Sequence, residues 1–268
     1  MTKFLIVNAD DFGLCREISK GIIKAYLEGI VTAASVVVNG KYFKEGIALL
    51  KDTGIDAGIH LTFTGSEKPL SGSIKGLVDS RGLFLKSYIE AIPRLILGQF
   101  DRNALEKELS EQIIMLKDNG IPVSHIDSHQ HLHLLPGVRD IVTGLAQRFK
   151  IRWVRVTRSD IFGVKGLVMN ILGNSLKKRL KKHDLAYADA FKGFEYGGRM
   201  NENNLSSLLK KIDNNGITEF MVHPGYDASS EYDWGYAWED ELKALTSDNV
   251  KGLIKRIGIK LTNFKELS

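Results

Sequence analysis

Lys3-Phe4-Leu5-Ile6-Val7-Asn8-Ala9-Asp10-Asp11-Phe12-Gly13, near the start of the chain, is an apolar run that ends on two carboxylates and a glycine. Its first half reads as a β-strand, and Arg16–Leu27 just beyond it carries apolar residues at helical spacing. The same strand-then-helix rhythm continues along the chain. Strands are expected over Lys3–Asn8, Thr32–Val38, Ile55–Leu61, Val123–Ser128, Arg152–Thr157, Glu219–His223 and near Ile259–Asn263. Helices are expected over Arg16–Leu27, Ala104–Asp118, Val138–Phe149, Asn204–Asn214 and Val250–Ile257. In the helix from Ala104, residues Leu105, Leu109, Ile113 and Leu116 fall on one face, Asn119-Gly120 offers a C-cap and Pro122 blocks continuation. Alternation of this kind is the pattern of an α/β protein with parallel strands.

Composition agrees with that class. The chain has 268 residues, 43% hydrophobic and 26% charged, enough to bury a continuous core in one barrel or open sheet. Its formal charge of +5 is too mild and diffuse to argue for nucleic acid. The one cysteine, Cys15, has no internal disulfide partner, so nothing calls for an oxidising compartment; a small buried hydrophobe is its expected role. The Phe4–Val7 run is too short for a signal peptide core or a membrane span, so a cytoplasmic protein without a membrane partner is expected. Thr64–Gly82, rich in Gly, Ser and Lys, and Ser159–Met200, with its basic run and aromatic stretch, break the rhythm and are expected to form the rim of a site.

Four expected strands end in acids or histidines. They lead into Asp10-Asp11, Gly58-Ile59-His60-Leu61, His125-Ile126-Asp127-Ser128-His129-Gln130-His131-Leu132-His133, and His223-Pro224-Gly225. In a parallel barrel or doubly wound sheet the strand C-termini open on one face, so groups far apart in sequence converge there. Six of the seven histidines lie in these segments, and only His183 does not. Imidazoles with a carboxylate hold a divalent ion and leave positions open for water, which the ion activates for hydrolysis. Each group alone has an ordinary reading. An Asp pair after a strand is often a helix N-cap or a turn, His60 could be a satisfied core histidine, and His223-Pro224-Gly225 could be a turn. On an extended segment His129, His131 and His133 would share a face, as metal ligands or as a hydrogen-bonded ladder. Their joint placement at strand ends favours the functional reading.

These strings resemble the YdjC-like carbohydrate deacetylase family, in order, from Lys3 to Leu267. The resemblance implies a distorted (β/α) TIM-like barrel, one domain over residues 1–268, with rim insertions near 64–82 and 159–200. It implies a metal triad of Asp11, His60 and His125, with Asp10 as general base and His223 as the acid that protonates the departing amine. Arg155 would orient Asp10 or bind substrate. His129 and His131 would line the sugar pocket or support the ligands, as would Asp127. The implied reaction removes N-acetyl groups from an amino sugar or short oligosaccharide. Magnesium is the ion usually associated with the family, whereas two imidazoles and a carboxylate suit Zn²⁺, Ni²⁺ or Co²⁺ on ligand softness. A metal-dependent phosphoesterase or amidohydrolase on a similar barrel, or a non-catalytic sugar-binding protein, is the competing expectation. A homodimer is compatible with all of these.

Overall fold

The computed structural model describes residues 2–212 and 215–268. Its elements follow in the order β1 (Lys3–Phe12), α1 (Arg16–Leu27), β2 (Ala33–Val36), α2 (Phe43–Thr53), β3 (Asp56–Leu61), α3 (Tyr88–Ile96), α4 (Arg102–Asp118) and β4 (His125–Ser128). Next come α5 (Pro136–Phe149), β5 (Trp153–Val154), α6 (Val164–Lys182), β6 (Ala190–Lys192), α7 (Glu202–Lys210), β7 (Gly216–Val222), α8 (Trp238–Thr246), α9 (Asp248–Arg256) and β8 (Ile259–Leu261). The strands form one curled parallel sheet in the order β5-β4-β3-β2-β1-β7-β6, with β8 beside the first residues of β1. Helices between consecutive strands return the chain to the same end, so all strand C-termini open on one face. A parallel bridge from Trp153 to Ala186 brings the chain ahead of β6 against β5 and draws the two margins of the sheet together. The expected distorted barrel is therefore present.

The helices coat the sheet because each buries one stripe. In α4, Leu105, Leu109, Ile113 and Leu116 are fully buried, and the Asp101 carboxylate caps the helix by accepting from the Ala104 N–H at 2.9 Å. Each such leucine stabilises the packing by roughly 1.5–3 kcal/mol through removal of apolar surface from water. Truncating Leu109 to alanine would cost about 2–5 kcal/mol, cavity included. Two polar residues share the inner face. Gln112 exchanges hydrogen bonds with the Thr62 backbone, and the Glu108 carboxylate accepts from Leu70 and Ser71 N–H, pinning the loop that leaves β3.

Several expected elements differ in extent or were not legible. The helix expected over Asn204–Asn214 is α7 and ends at Lys210; Asn214 lies outside the described residues. The Ser159–Met200 stretch supplies α6 and the sheet strand β6, and the basic run rides on the last turns of α6. Strand β1 runs four residues past the expected Asn8, through the Asp pair.

That extension contains the feature that shapes the site. Ala9 pairs with Ala34, yet Phe12 pairs with Val36, so β1 spends three steps where β2 spends two. The extra residue is a β-bulge, and Asp11 within it adopts a left-handed φ of 75°. A regular strand would send Asp10 and Asp11 to opposite faces. The bulge breaks that alternation. Gly13 ends the strand at φ 96°, where a Cβ would lie 2.6 Å from the Val37 carbonyl oxygen.

Candidate active site

At the strand C-termini, Asp11, His60 and His129 place one donor atom each within 4.8 Å of one another. Asp11 Oδ1 is 3.5 Å from His60 Nε2 and 3.1 Å from His129 Nδ1. Asp127, at the sheet position beside His60, takes the other ring nitrogen: Oδ1 lies 2.7 Å from His60 Nδ1. That bond fixes the ring and turns Nε2 toward Asp11, the usual way a carboxylate orients a metal-binding imidazole. Burial opposes a charge on His60, yet Asp127, then Asp10 and Asp11, carry its pKa up to about 9. Burial would likewise raise the Asp11 carboxyl, but the His129 hydrogen bond and the charges of His129 and His60 hold it well below the carboxylate range. The carboxylates thus create a field that favours positive charge at this point. A divalent cation answers the same field, and one carboxylate with two imidazoles is a donor set that fits it.

His125 is not part of this cluster. It starts β4, and its ring points inward beneath the site, where Gly58 makes room: a Cβ on Gly58 would lie 2.4 Å from the imidazole. Its Nε2 is 3.0 Å from Ser35 Oγ, its Nδ1 is 2.9 Å from Ser124 Oγ, and its ring stacks on Phe264. Burial, only partly offset by Asp127, lowers its pKa to about 4 and keeps it neutral. His129, expected in the sugar pocket, stands where His125 was expected. The cause is local geometry. After β4 the chain turns, with Gln130 and His131 both at φ 57°, so the three alternating histidines do not share a face. His129 meets Asp11, His131 Nδ1 lies 3.2 Å from Thr157 Oγ1, and His133 bridges Ser128 Oγ and the Arg155 carbonyl. His131 keeps an aromatic neighbourhood of Phe191 and Phe194.

Arg155 is the largest fully buried side chain and ties three acids together. Its guanidinium donates to both oxygens of Asp10 at 2.6 and 2.8 Å and to Glu219 at 2.6 Å, and pairs with Asp127 at 2.8 Å. A second acidic grouping, Asp10, His60 and Asp127, is also close enough to hold an ion. There, however, the guanidinium already supplies the cation. Asn8 Nδ2 adds a hydrogen bond to Asp10 Oδ1 at 3.1 Å, so Asp10 is held in one orientation from two sides. Burial raises Glu219 to about 7 despite Arg155.

His223 leaves β7 with its backbone N–H donated to Glu241 Oε2 at 2.6 Å and its ring 5.1 Å from Tyr236. Its Nδ1 is buried and has no hydrogen-bond partner among the described residues. Tyr236 belongs to an aromatic row, Tyr232, Trp234, Tyr236 and Trp238, in which neighbouring rings touch. Half-buried Trp234 lies 5.3 Å from the His129 ring, so the row walls the site between His129 and His223. Neither this row nor Glu219 and Glu241 stood out in the sequence. The strict alternation Tyr-x-Trp-x-Tyr-x-Trp was the available signal.

Known proteins bear on this geometry. A carbohydrate deacetylase of Brevibacillus brevis is 30% identical over 98% of this chain and 99% of its own. A chitooligosaccharide deacetylase of Yersinia enterocolitica is 31% identical over 99% of this chain and all of its own. A crystal structure from Enterococcus faecalis, 24% identical, covers both chains completely with a TM-score of 0.83 and shares the fold. The family model described as YdjC-like protein matches residues 4–256, nearly the whole chain. With relatives aligned end to end and the family pattern spanning the buried cluster, the chain belongs to the YdjC-like family.

Proposed function

We propose that the protein is a metal-dependent carbohydrate deacetylase that removes an N-acetyl group from an amino sugar or short oligosaccharide. The observation that carries this is the buried Asp11–His60–His129 donor set with an oriented Asp10 at one side and the unpaired His223 nitrogen at the other. Full-length relatives named as carbohydrate and chitooligosaccharide deacetylases support the substrate class. Asp11, His60 and His129 would hold the ion; a bound divalent cation supplies Lewis acidity toward an amide carbonyl and acidifies water.

The chain's own residues supply the rest. Asp10, fixed by Arg155 and Asn8, is the acceptor for the proton that the attacking water gives up. His223 hands a proton to the departing amine from its buried Nδ1 side, with Glu241 holding its backbone. Trp234 and Tyr236 offer flat apolar faces on which a pyranose ring stacks while its hydroxyls stay solvated. We assign His131, whose ring lies beside Phe191 and Phe194, to the sugar pocket as well.

The test is acetate release. Protein stripped with chelator and reloaded with Mg²⁺, Zn²⁺, Co²⁺ or Ni²⁺ is incubated with N-acetylglucosamine and with di- and tri-acetylated chitooligosaccharides. Metal-dependent acetate from at least one substrate is expected, and Asp10→Asn abolishes it while the ion stays bound. No acetate from any N-acetyl sugar with any ion would sink the reading.

A further inference from the structure

The opposite end of the sheet carries a second concavity that the reaction does not use. It encloses about 470 Å³ between the N-terminal ends of β3, β4 and β5 and the C-terminal tail. Four cations line it: Lys51, Lys150, Arg152 and Lys265. Among the described residues none of the four has an ion-pair partner. The one acid in the lining, Asp56, has its Oδ2 occupied by the Lys265 N–H at 3.1 Å. Lys51 in the last turn of α2 and Lys150 at the C-cap of α5 offset the carbonyl ends of those helices. Arg152, ahead of β5, and Lys265, on the tail, serve no helix end. Four cations against the Asp56 carboxylate leave the lining net positive, which concentrates anions, and the strongest small partner of such a lining is a phosphate dianion. The space exceeds what a bare phosphate fills, and Leu50 and Ile121 give it an apolar side.

The wall of this concavity is also wired to the active site. Ser124 lines it, and Ser124 Oγ is 2.9 Å from His125 Nδ1. His125 Nε2 meets Ser35 Oγ at 3.0 Å, Ser35 donates to Asp127 Oδ2 at 2.7 Å, and Asp127 Oδ1 holds His60 at 2.7 Å. Ser35 has one hydroxyl hydrogen, and Asp127 takes it, so the neutral His125 ring carries its hydrogen on Nε2 and leaves Nδ1 to accept; the single Ser124 hydrogen is shared between that nitrogen at 2.9 Å and the Ala57 carbonyl at 3.0 Å. An anion that takes the Ser124 hydrogen bond leaves Nδ1 without a donor. The ring's single hydrogen then moves from Nε2 to Nδ1, Ser35 turns its O–H toward Nε2, and Asp127 loses one of its donors.

We propose that this basal concavity binds a phosphate monoester of a small organic molecule, and that Ser124 and His125 transmit its occupancy to Asp127 and His60. Isothermal titration of the metal-stripped protein at constant ionic strength tests binding, with a hexose 6-phosphate, inorganic phosphate and the unphosphorylated hexose as probes. The hexose 6-phosphate should bind one per chain and more tightly than inorganic phosphate, the plain hexose should not bind, and Arg152→Gln/Lys265→Gln should weaken binding by at least about tenfold. Both residues are exposed, so this variant keeps its fold. No saturable binding at millimolar ester, or binding unchanged in the double variant, would overturn the site; equal affinity for inorganic phosphate would overturn the organic part. Imidazole ¹⁵N spectra read the coupling. The ester should invert the His125 tautomer and shift the His60 signals in the wild type, and Ser124→Ala should bind ester without the inversion. An unmoved His125 tautomer in the ester-bound wild type would overturn the coupling. These readouts need neither metal nor turnover, so their failure is separable from failure of the deacetylase reading.

Discussion

Replacing Arg155 with methionine keeps the apolar length of the side chain and removes a guanidinium with no solvent exposure. Three carboxylates then stand in the core with altered company. Asp127 retains His60 and Ser35, Asp10 retains Asn8, and Glu219 loses the only side-chain partner described for it. Breaking a buried ion pair by removing one member costs about 3–5 kcal/mol, a large part of the roughly 5–15 kcal/mol that holds a domain folded. The pH dependence gives the cause away. Glu219 already titrates near 7 through burial, and without Arg155 it moves higher still. The folded variant then binds more protons than the unfolded chain above the ordinary glutamate value, so its stability falls as pH rises. Urea unfolding of the chelator-treated proteins at about pH 5.5 and about pH 8 should show the larger deficit at the higher pH. Adding Glu219→Gln to Arg155→Met should return part of it. A deficit below about 1 kcal/mol, or one equal at both pH values, would refute the account of Arg155 as a charge-compensating hub.

Three further outcomes follow from the geometry. His129→Ala should weaken binding of the divalent ion by more than about 100-fold, while Ser124→Ala, whose hydroxyl reaches His125 and the Ala57 carbonyl but none of the three donors, should leave ion stoichiometry unchanged by direct metal counting. Trp234→Ala should raise KM for an acetylated oligosaccharide by about three- to tenfold with a smaller effect on kcat, and Trp234→Phe should recover most of it; equal KM values would remove Trp234 from the sugar pocket. His133, lowered to about 4 mainly by burial with Arg155 adding to it, is neutral in the folded protein. The unfolded chain binds the extra proton between about pH 6.5 and about pH 4, so stability falls as pH drops through that window, by roughly 3 kcal/mol for this group. His133→Gln should flatten the acid limb of the stability curve by that amount, measured by thermal unfolding.

The alternation of apolar strands and amphipathic helices was enough to place the sheet and α1, because both elements bury periodic faces that local sequence records. Short strands such as β6 and helices with weak faces such as α6 depend on partners distant in sequence, and so were not legible. At the site, Asp11 and His60 could be read because they end strands that must point to one face. His129 and His125 could not be told apart. Both sit in one histidine-rich string, and the choice between them is made by a pair of left-handed residues, Gln130 and His131, and by the space that Gly58 leaves for a ring. For Arg155 the sequence left open whether it meets Asp10 or a substrate; its ties to Asp10, Glu219 and Asp127 join residues far apart in the chain and leave no local trace.

The bulge at Asp11 has a consequence for anyone who would move this chemistry to another scaffold. Of the common side chains, aspartate and asparagine tolerate a left-handed backbone best, at a site where glutamate carries an added cost of roughly 1–2 kcal/mol. Position 11 is thus chosen twice, once by the chemistry of its carboxylate and once by the geometry of its main chain. Grafting Asp-Asp onto a regular strand would keep the letters and lose the site, because the unit that has to be inherited is the inserted residue and its twist.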